Sequence, residues 1–271
     1  MAVSPLEFQT PFTFLLNHVI FRRRSVLRGS IRPFVRSSMP ITLSIIIPAF
    51  NEKNTIEELI RQIKMVVLEG IDKEILVVDD GSKDGTREIL TRIPDIRYIF
   101  HERNIGKGGA VKTGFRHSTG DIVIIQDADL EYDPEDYSAM IRPILDGRTE
   151  VVNGVRIQPD KDGRKHKSLY WMSWIGNNLI TWTTNLLYWN SAKEYEGCYK
   201  AFTRNLLTGL EIKTNNFDFD NELICKILKR GHTIVDVPIR YYPRNYEEGK
   251  KINWKHGVLI LWTIIKCRFT G

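Results

Sequence analysis

The sequence predicts an α/β fold, in which helices flank a mostly parallel, doubly wound sheet. From residue 43 onward, short runs of apolar and β-branched residues alternate with segments whose apolar residues recur at helical spacing. Such strand–helix alternation is typical of parallel sheets. Polar residues follow the apolar runs, as expected where the carboxyl ends of parallel strands form a ligand site.

The expected elements follow one another in a regular order. The strands expected from the sequence are 43–47, 74–78, 97–101, 122–125, 151–155 and 233–237. Helices are expected to begin near residues 54, 84 and 106, and another is expected to end at Lys229. The segment 41–271 is therefore interpreted as the folded domain.

The positive charge of the chain is concentrated in its first residues. The formal net charge is +6, but residues 1–38 contain six arginines and one acid, Glu7, which together contribute +5. The remaining residues carry only +1, so no nucleic-acid partner is expected. The cysteines, Cys198, Cys225 and Cys267, match neither a disulfide framework nor a zinc motif. The sequence has no Asn-x-Ser/Thr site either, and both features favour a reducing, cytoplasmic location.

Residues 1–40 form a basic segment that we treat apart from the fold. Its apolar run, Phe12 to Phe21, is too short to span a bilayer. Arginines follow this run, whereas in a secretory signal they precede it. Three interpretations remain: a disordered tail, a targeting or membrane-surface segment, or residues upstream of a true start at Met39.

The acidic pair Asp127 and Asp129 is the first candidate site. It follows the apolar run Ile122 to Ile125, which is expected to be a buried strand. In an extended chain, residues two apart point to the same side, so both carboxylates could face one divalent cation. Hard cations such as Mg²⁺ prefer oxygen ligands and often share a site with substrate phosphates. The alternative is a strand that ends in a polar turn.

The glycine-rich segment Gly106 to Gly109 is a second candidate, for anion binding. It does not match a Walker loop, since Gly108 follows Lys107 and Glu102 stands where that motif has glycine. The dinucleotide-binding fingerprint is also missing after the first strand. Backbone N–H groups at this helix start could still bind an anion. Alternatively, the glycines serve only a tight turn.

An uncharged segment that holds four of the six tryptophans covers residues 168–192. Its asparagines and threonines are costly in hydrocarbon, whereas tryptophans beside a basic flank suit the bilayer interface. We expect an amphipathic, interfacial helix here; a buried core helix and a membrane span are the alternatives. Residues 252–267, where basic residues flank an apolar run, are expected to form a second interfacial helix.

Four short segments lie in a fixed order along the chain: Ser44 to Glu52, Val77 to Ser82, Asn104 to Gly108 and Gln126 to Leu130. A fifth pattern combines Val237-Pro238-Ile239 with Arg244 and Lys250. Together they resemble family 2 glycosyltransferases with the Rossmann-like GT-A fold. Within that family the chain looks like the polyprenyl-phosphate or dolichyl-phosphate mannose and glucose synthases. The resemblance extends from about residue 43 to near the C-terminus.

The resemblance implies roles for individual residues. The residues expected to bind the nucleotide-sugar donor are Pro48, Phe50, Glu52, Asp79, Asp80, Lys107, Ala128 and Arg156. Asp127 and Asp129 would hold Mg²⁺ or Mn²⁺, and Glu131 would be a third metal-site residue. Arg244 and Lys250, like Arg156, would bind the donor diphosphate or the acceptor phosphate. The residues expected to act in the transfer itself are Asp127, Asp129, Arg244 and Lys250.

The resemblance also implies a reaction. We expect inverting transfer of a hexose from GDP-mannose or UDP-glucose to a polyprenyl or dolichyl phosphate, by an enzyme bound peripherally to the cytoplasmic face of a membrane. Because a lipid phosphate is already an anion, no general base is needed. The alternative is a soluble family 2 enzyme with a hydroxyl acceptor in glycan or cell-wall synthesis, which needs a base. Glu196, Asp218 and Asp220 are the candidates for that base, although Asp218 and Asp220 could equally lie in an exposed loop.

Overall fold

The described part of the chain contains a seven-stranded sheet in which a single strand, β6, runs against the others. The structure is a computed structural model and describes residues 40–157, 171–216, 218–242 and 254–270. The strands are β1 Ile41–Ala49, β2 Ile71–Asp79, β3 Arg97–Phe100, β4 Ile122–Ile125, β5 Val151–Ile157, β6 Lys200–Thr203 and β7 Ile234–Arg240. Their order across the sheet is β3-β2-β1-β4-β6-β5-β7. The prediction of a mostly parallel α/β sheet is confirmed.

Helices cover the sheet and connect its strands. They are α1 Ile56–Met65, α2 Thr86–Leu90, α3 Lys107–His117, α4 Tyr137–Leu145, α5 Trp171–Tyr188, α6 Arg204–Leu207, α7 Phe219–Lys229 and α8 Trp254–Phe269. In α1 the apolar residues that recur at helical spacing are the buried ones, and charged residues occupy the other face.

The centre of the sheet is apolar on both faces. All four residues of β4 are buried, and β4 pairs in parallel with the equally buried β1 from Leu43↔Ile122 to Ile46↔Ile125. On its other side β1 pairs with β2 as far as Ala49↔Asp79. The carboxyl ends of β1, β2 and β4 therefore lie side by side, and the loops that follow them meet at one edge of the sheet.

The observed strands are longer than expected where backbone pairing continues past the apolar run. β2 was expected at 74–78 but begins at Ile71, because its pairing with β1 already starts at Ile41↔Ile71. Backbone hydrogen bonds depend little on the side chain, so polar residues such as Asp72 and Lys73 can take part.

The helices α5 and α8 pack against each other and against α7. Ile180 and Tyr188 of α5 are buried in a cluster with Ile260 and Ile264 of α8. Outside this contact both helices expose large apolar side chains; Trp182 and Trp262 are each 62% exposed. None of the helices in the described ranges is long and apolar enough to cross a membrane. The interpretation of 168–192 as a membrane span is therefore wrong for the described residues of that segment.

Candidate active site

Two acidic pairs follow neighbouring strands at the carboxyl edge of the sheet. The first, Asp79-Asp80, ends β2 and is buried. One oxygen of Asp79, Oδ1, accepts the backbone N–H groups of Gly81 and Ser82 at 3.2 and 3.1 Å and Nε of Arg87 at 2.6 Å. Its other oxygen, Oδ2, is buried without a hydrogen-bond partner in the described part of the chain. Asp79 thus holds the turn after β2 in place.

Asp80 binds the glycine-rich segment that precedes α3. Its carboxylate accepts the backbone N–H groups of Ile105 and Gly106 at 3.1 and 2.8 Å, and it contacts His101 Nδ1 at 2.7 Å. A side chain at Gly81 would lie 2.7 Å from backbone atoms of residues 103 and 104, so only glycine fits between the two loops. The anion that the glycine-rich segment before α3 binds is therefore the carboxylate of Asp80, a residue of the chain itself.

The second pair, Asp127 and Asp129, has a different environment. Lys107 Nζ lies 2.5 Å from Asp127 Oδ1 and 2.8 Å from Cys198 Sγ. Burial by itself would raise the pKa of Asp127, but the Lys107 ammonium, together with the Cys198 thiol and the charge of Lys200, holds that pKa below its ordinary value. Burial also raises the pKa of the Cys198 thiol, which therefore stays protonated at neutral pH. The Asp127 carboxylate is thus charged and has a cation beside it.

Asp129 lies in a turn, not in the extended chain that the same-side argument assumed. β4 ends at Ile125, and Ala128 and Asp129 form a turn. Asp129 Oδ1 accepts the N–H of Glu131 at 3.2 Å, while Leu130 between them has a φ of 61°, in the left-handed region. The prediction of an extended chain from Asp127 to Asp129 is therefore wrong, because the backbone changes direction after the strand.

Glu131 binds the two residues that follow β7, Tyr241 and Tyr242. Its Oε2 accepts the hydroxyl of Tyr241 at 3.0 Å, and its backbone O accepts the N–H of Tyr242 at 2.9 Å. Tyr241 also lies 5.0 Å below the guanidinium of Arg156, which forms an ion pair with Glu194. Arg156 and Glu131 are thus brought together through Tyr241.

The carboxylates suit a divalent cation in chemistry. Asp127 already attracts one cationic group, and hard oxygen ligands from two carboxylates are what Mg²⁺ or Mn²⁺ takes when phosphate oxygens complete its shell. Within the described ranges, no three Asp, Glu, His or Cys side chains are arranged to hold a metal ion. The protein would thus contribute a partial set of ligands, and a bound diphosphate would add the rest.

The loop after β1 lies beside the end of β2. Pro48 at the end of β1 and Phe50 and Glu52 in this loop are half-buried, and Ala128 is 4% exposed in the turn after β4. The N–H of Glu52 donates to Thr86 Oγ1 at 2.9 Å, and Thr55 Oγ1 donates to its carboxylate at 2.9 Å. Two predicted phosphate-binding residues, Arg244 and Lys250, lie outside the described residues, as do Arg164 and Ser168, which the resemblance relates loosely to the acceptor phosphate.

Three further polar residues of this site received no definite role from the sequence. Lys200 is fully buried in β6, where its Nζ donates to the carbonyl of Tyr195 at 3.0 Å and lies 3.9 Å from Asp220 Oδ1. Burial raises the pKa of Glu196, whose Oε1 is buried without a hydrogen-bond partner among the described residues. Cys198 contacts Lys107. The sequence singled out only Glu196 among them, as a candidate base, and no motif connects Cys198 or Lys200 to Lys107.

The exposed-loop interpretation of Asp218 and Asp220 is wrong. Asp218 is 5% exposed, begins α7, and accepts the hydroxyl of Thr263 in α8 at 3.1 Å. The side chain of Asp220 is 15% exposed and faces the buried Lys200. Both carboxylates lie beside partners that are distant in sequence, Thr263 for Asp218 and Lys200 for Asp220.

Comparisons with known proteins agree with this architecture. An archaeal relative, UDP-N-acetylglucosamine–dolichyl-phosphate N-acetylglucosaminyltransferase of Methanococcus voltae, is 26% identical over 245 residues, which cover 83% of this chain and 95% of the relative. The glycosyltransferase AglJ of Haloferax volcanii is 28% identical over 206 residues, 76% of this chain and 64% of AglJ. The chain spans 35% of a second Haloferax volcanii relative, the glycosyltransferase AglD.

Solved structures show the same fold. Glucosyl-3-phosphoglycerate synthase from Mycobacterium tuberculosis, crystallised with Mn²⁺, UDP and glucosyl-3-phosphoglycerate, superimposes with a TM-score of 0.65 at 21% identity, over 84% of this chain and 80% of that one. The expected GT-A fold is thereby confirmed. The family model described as "Glycosyl transferase family 2" matches residues 44–208, more than half of the sequence. The chain therefore belongs to glycosyltransferase family 2.

Proposed function

We propose that this protein is an inverting, metal-dependent transferase that moves a sugar from a nucleotide sugar to a polyprenyl or dolichyl phosphate. The observation that carries the proposal is the charged Asp127 carboxylate at the end of β4, paired at 2.5 Å with Lys107. A sugar nucleotide carries its negative charge on a diphosphate, and this site offers both a carboxylate for a metal and an ammonium for phosphate oxygens.

Charge neutralisation is the chemistry that the transfer requires. When the sugar leaves, negative charge develops on the nucleoside diphosphate, and a Mg²⁺ or Mn²⁺ held by Asp127 and Asp129 would stabilise it. Lys107 lies next to Asp127 and would contact the same diphosphate, and Arg156 would supply a second cation. Glu131 would support the metal site, and Pro48, Phe50, Glu52, Asp79, Asp80 and Ala128 would shape the pocket for the nucleoside.

The acceptor phosphate would be the nucleophile. Since it is ionised at neutral pH, a single displacement with inversion needs no proton removed. Arg244 and Lys250 would position it, as the resemblance implies. The sugar donor is GDP-mannose or UDP-glucose in our proposal. The name of the Methanococcus voltae relative supports including UDP-N-acetylglucosamine among the donors to be tested.

A membrane surface would present the acceptor. Supporting observations are the exposed apolar side chains of α5 and α8, among them Trp182, Trp262 and Leu186, together with Lys266 and Arg268 in the last turn of α8. Tryptophans and basic residues on one helix pair suit the headgroup region of the cytoplasmic leaflet. We propose peripheral binding there.

Liposome sedimentation tests the proposed binding of α5 and α8 to a membrane surface. Replacement of Trp182 and Trp262 by serine should reduce binding to vesicles made of phosphatidylcholine and phosphatidylserine about tenfold or more, since each indole contributes a large apolar area. Met65→Ser is the matched control, because Met65 is an apolar side chain that is 65% exposed and belongs to α1, a different helix. Equal binding of the double variant and the wild type would contradict the assignment of this surface.

The transfer itself is tested with radiolabelled donors. The protein, a dolichyl phosphate and Mn²⁺ are incubated with GDP-mannose, UDP-glucose or UDP-N-acetylglucosamine, and the label in the butanol phase is counted. We expect organic-phase label with one donor, lost in Asp127→Asn and kept in Asp146→Asn, an acid on the surface beside Arg142. Label that resists Asp127→Asn would contradict the metal assignment.

The second candidate is a transferase with a hydroxyl acceptor. Glu196 favours it, since this carboxyl is buried, has a raised pKa and has one oxygen without a partner in the described residues, as a general base requires. This candidate predicts water-soluble glycoside product and no label in butanol. Its activity should disappear in Glu196→Gln, whereas transfer to a lipid phosphate should not depend on proton removal by that residue.

A further inference from the structure

A basic cleft runs along the flank of α3, apart from the candidate active site. It has a volume of about 580 Å³, within the range of small-molecule sites. Its lining includes Ile105 before α3, Ser118 after α3, and Arg204 and Asn215 from later in the chain. None of the metal-site carboxylates, Lys107 or Arg156 lines it.

Three cations line this cleft: Lys112 and Arg116 of α3 and Arg204 at the start of α6. Within the described ranges, none of the three forms an ion pair, and their hydrogen-bond partners are neutral. Lys112 Nζ donates to the carbonyl of Ile212 at 3.1 Å, Arg116 to Thr113 Oγ1 at 3.1 Å, and Arg204 to Ser118 Oγ at 3.4 Å. No aspartate or glutamate is among the described lining residues. The cleft therefore has positive charge that the chain itself does not neutralise.

Two acids near these cations, Glu222 and Asp121, are already bound by other groups. Glu222 accepts the N–H groups of Lys213 and Thr214 and forms an ion pair with Lys226 at 2.6 Å. Asp121, whose backbone O accepts the N–H of Arg204, uses its carboxylate for the N–H of Thr42 at 2.9 Å. Burial lowers the pKa of Lys112. The Glu222 carboxylate raises this pKa, whereas repulsion from the positive charges of Arg116 and Lys226 lowers it further. An incoming anion would relieve this repulsion.

The cleft also has an apolar wall, beside the polar residues Ser118, Thr208 and Asn215. Phe115, Leu207 and Leu210 line this wall and pack against the buried cluster between the sheet and α7, to which a fourth lining residue, Ile212, belongs. Arg230 donates to the carbonyl of Gly209 at 2.7 Å and so holds the loop that forms one wall. A polar, strongly charged group beside an apolar body fits this lining.

We propose that the α3 cleft binds a phosphate-bearing ligand, with Lys112, Arg116 and Arg204 as its cationic contacts. Arginine and lysine together recognise phosphate by charge-assisted hydrogen bonds, and three cations suit the multiple charges of a phosphomonoester or diphosphate. The phosphate can belong to a free metabolite or to a lipid headgroup, and both present the same chemistry. The site does not depend on the proposed transfer reaction, since it shares no residue with the metal-site turn.

Pyrophosphate titration and lysine footprinting test this site. Calorimetric titration with inorganic pyrophosphate is done in EDTA, so that no metal bridges it to Asp127. We expect binding that weakens about tenfold or more in Lys112→Gln/Arg116→Gln, because two charge-assisted contacts are lost. Acetylation of Lys112, read by mass spectrometry, should slow several-fold in saturating pyrophosphate. The control Arg142→Gln/Arg148→Gln removes two exposed cations beside Asp146 and should bind as the wild type does.

Vesicles distinguish the two sources of phosphate. If phosphatidylcholine vesicles that contain phosphatidic acid protect Lys112 and pyrophosphate does not, the ligand is a lipid headgroup; the reverse result identifies a free phosphate compound. In both cases protection must be lost in Arg116→Gln, whose thermal unfolding should match the wild type because Arg116 is exposed. The proposal is overturned if neither pyrophosphate nor the vesicles protect Lys112 from acetylation. It is also overturned if the double variant binds pyrophosphate as tightly as the wild type does.

Discussion

The two acidic pairs at the edge of the sheet look alike in sequence but differ in what binds them. Asp79 and Asp80 are buried and are held by backbone N–H groups, an arginine and a histidine. Asp127 follows a neighbouring strand, yet the group beside it is the ammonium of Lys107 at 2.5 Å. A backbone N–H group fixes a loop, whereas a lysine on a flexible side chain can be exchanged for another cation.

This difference separates a structural role from a chemical one. Removal of charge at Asp79 should mainly destabilise the fold, since several donors lose their acceptor inside the protein. Removal of charge at Asp127 should mainly affect cation binding and transfer. Both pairs stand at the carboxyl ends of parallel strands, so position alone does not tell them apart.

The largest expected effect is on turnover, through Asp127→Asn. Without this carboxylate the charge on the leaving diphosphate is poorly neutralised, so we expect kcat/KM for sugar transfer to fall roughly a hundred- to a thousandfold. Steady-state assays with a nucleotide sugar and Mn²⁺ measure this, and Asp146→Asn is the control. If kcat/KM falls less than tenfold and the metal requirement is unchanged, Asp127 does not have the chemical role that distinguishes it from Asp79.

The next effect is on stability, through Asp79→Asn. The amide loses the negative charge that pairs with Arg87 and places an NH2 group at the buried position of Oδ2, so we expect a loss of about 3 kcal/mol in the free energy of unfolding. For a chain of this size that corresponds to a melting temperature lower by about 6–12 °C. Asp95→Asn is the matched control, because Asp95 is exposed and asparagine tolerates its φ of 57°. An unchanged melting temperature would show that Asp79 does not support the loop.

A smaller effect should follow from Lys107→Met. This substitution removes the cation that competes for Asp127, so the protein without nucleotide should bind Mn²⁺ more tightly, by roughly tenfold. Electron paramagnetic resonance of free Mn²⁺ gives the affinity, and Lys112→Met on the same helix should leave it unchanged. Weaker binding in Lys107→Met would mean that Lys107 organises the site and does not compete for it.

The smallest effect concerns Glu222, a third carboxylate, which is held by N–H groups and a lysine. Burial alone would raise its pKa, but Lys226 and the N–H groups of Thr214 and Lys213 lower it from 4.5 to about 2. Because the folded pKa is depressed, this stabilisation is present above pH 4.5 and is lost as the pH falls toward 2. Urea unfolding should show Glu222→Gln less stable than the wild type at pH 6, with the difference shrinking by about pH 3. If the difference in unfolding free energy between Glu222→Gln and the wild type is the same at pH 6 and at about pH 3, the charged Glu222 carboxylate does not stabilise the fold.

Much of the fold could be predicted because its central strands are apolar on both faces. β4 was expected at 122–125 and is observed there, since four buried apolar residues between polar ones leave little choice. β6 was not expected: it has four residues, begins with the buried Lys200, and exists because it pairs with β4 and β5. Such tertiary pairing overrides local pattern.

The sequence proposes residues for the candidate site, but it does not predict their contacts. Asp127, Asp129 and Lys107 came from motifs, and the sheet order brings their loops to one edge. The partnership of Lys107 with Asp127 and Cys198 could not be foreseen, because it depends on β6 lying beside β4. The burial of Asp218 likewise depends on Thr263 in the last helix.

The most direct test of the account is Mn²⁺ binding in the presence of UDP, followed by electron paramagnetic resonance in the wild type and in Asp127→Asn. We expect the wild type to bind Mn²⁺ together with UDP and the variant to lose at least about tenfold in affinity, with both proteins folded by circular dichroism. Equal Mn²⁺ affinity in the two proteins would contradict the assignment of Asp127 as the cation-binding carboxylate.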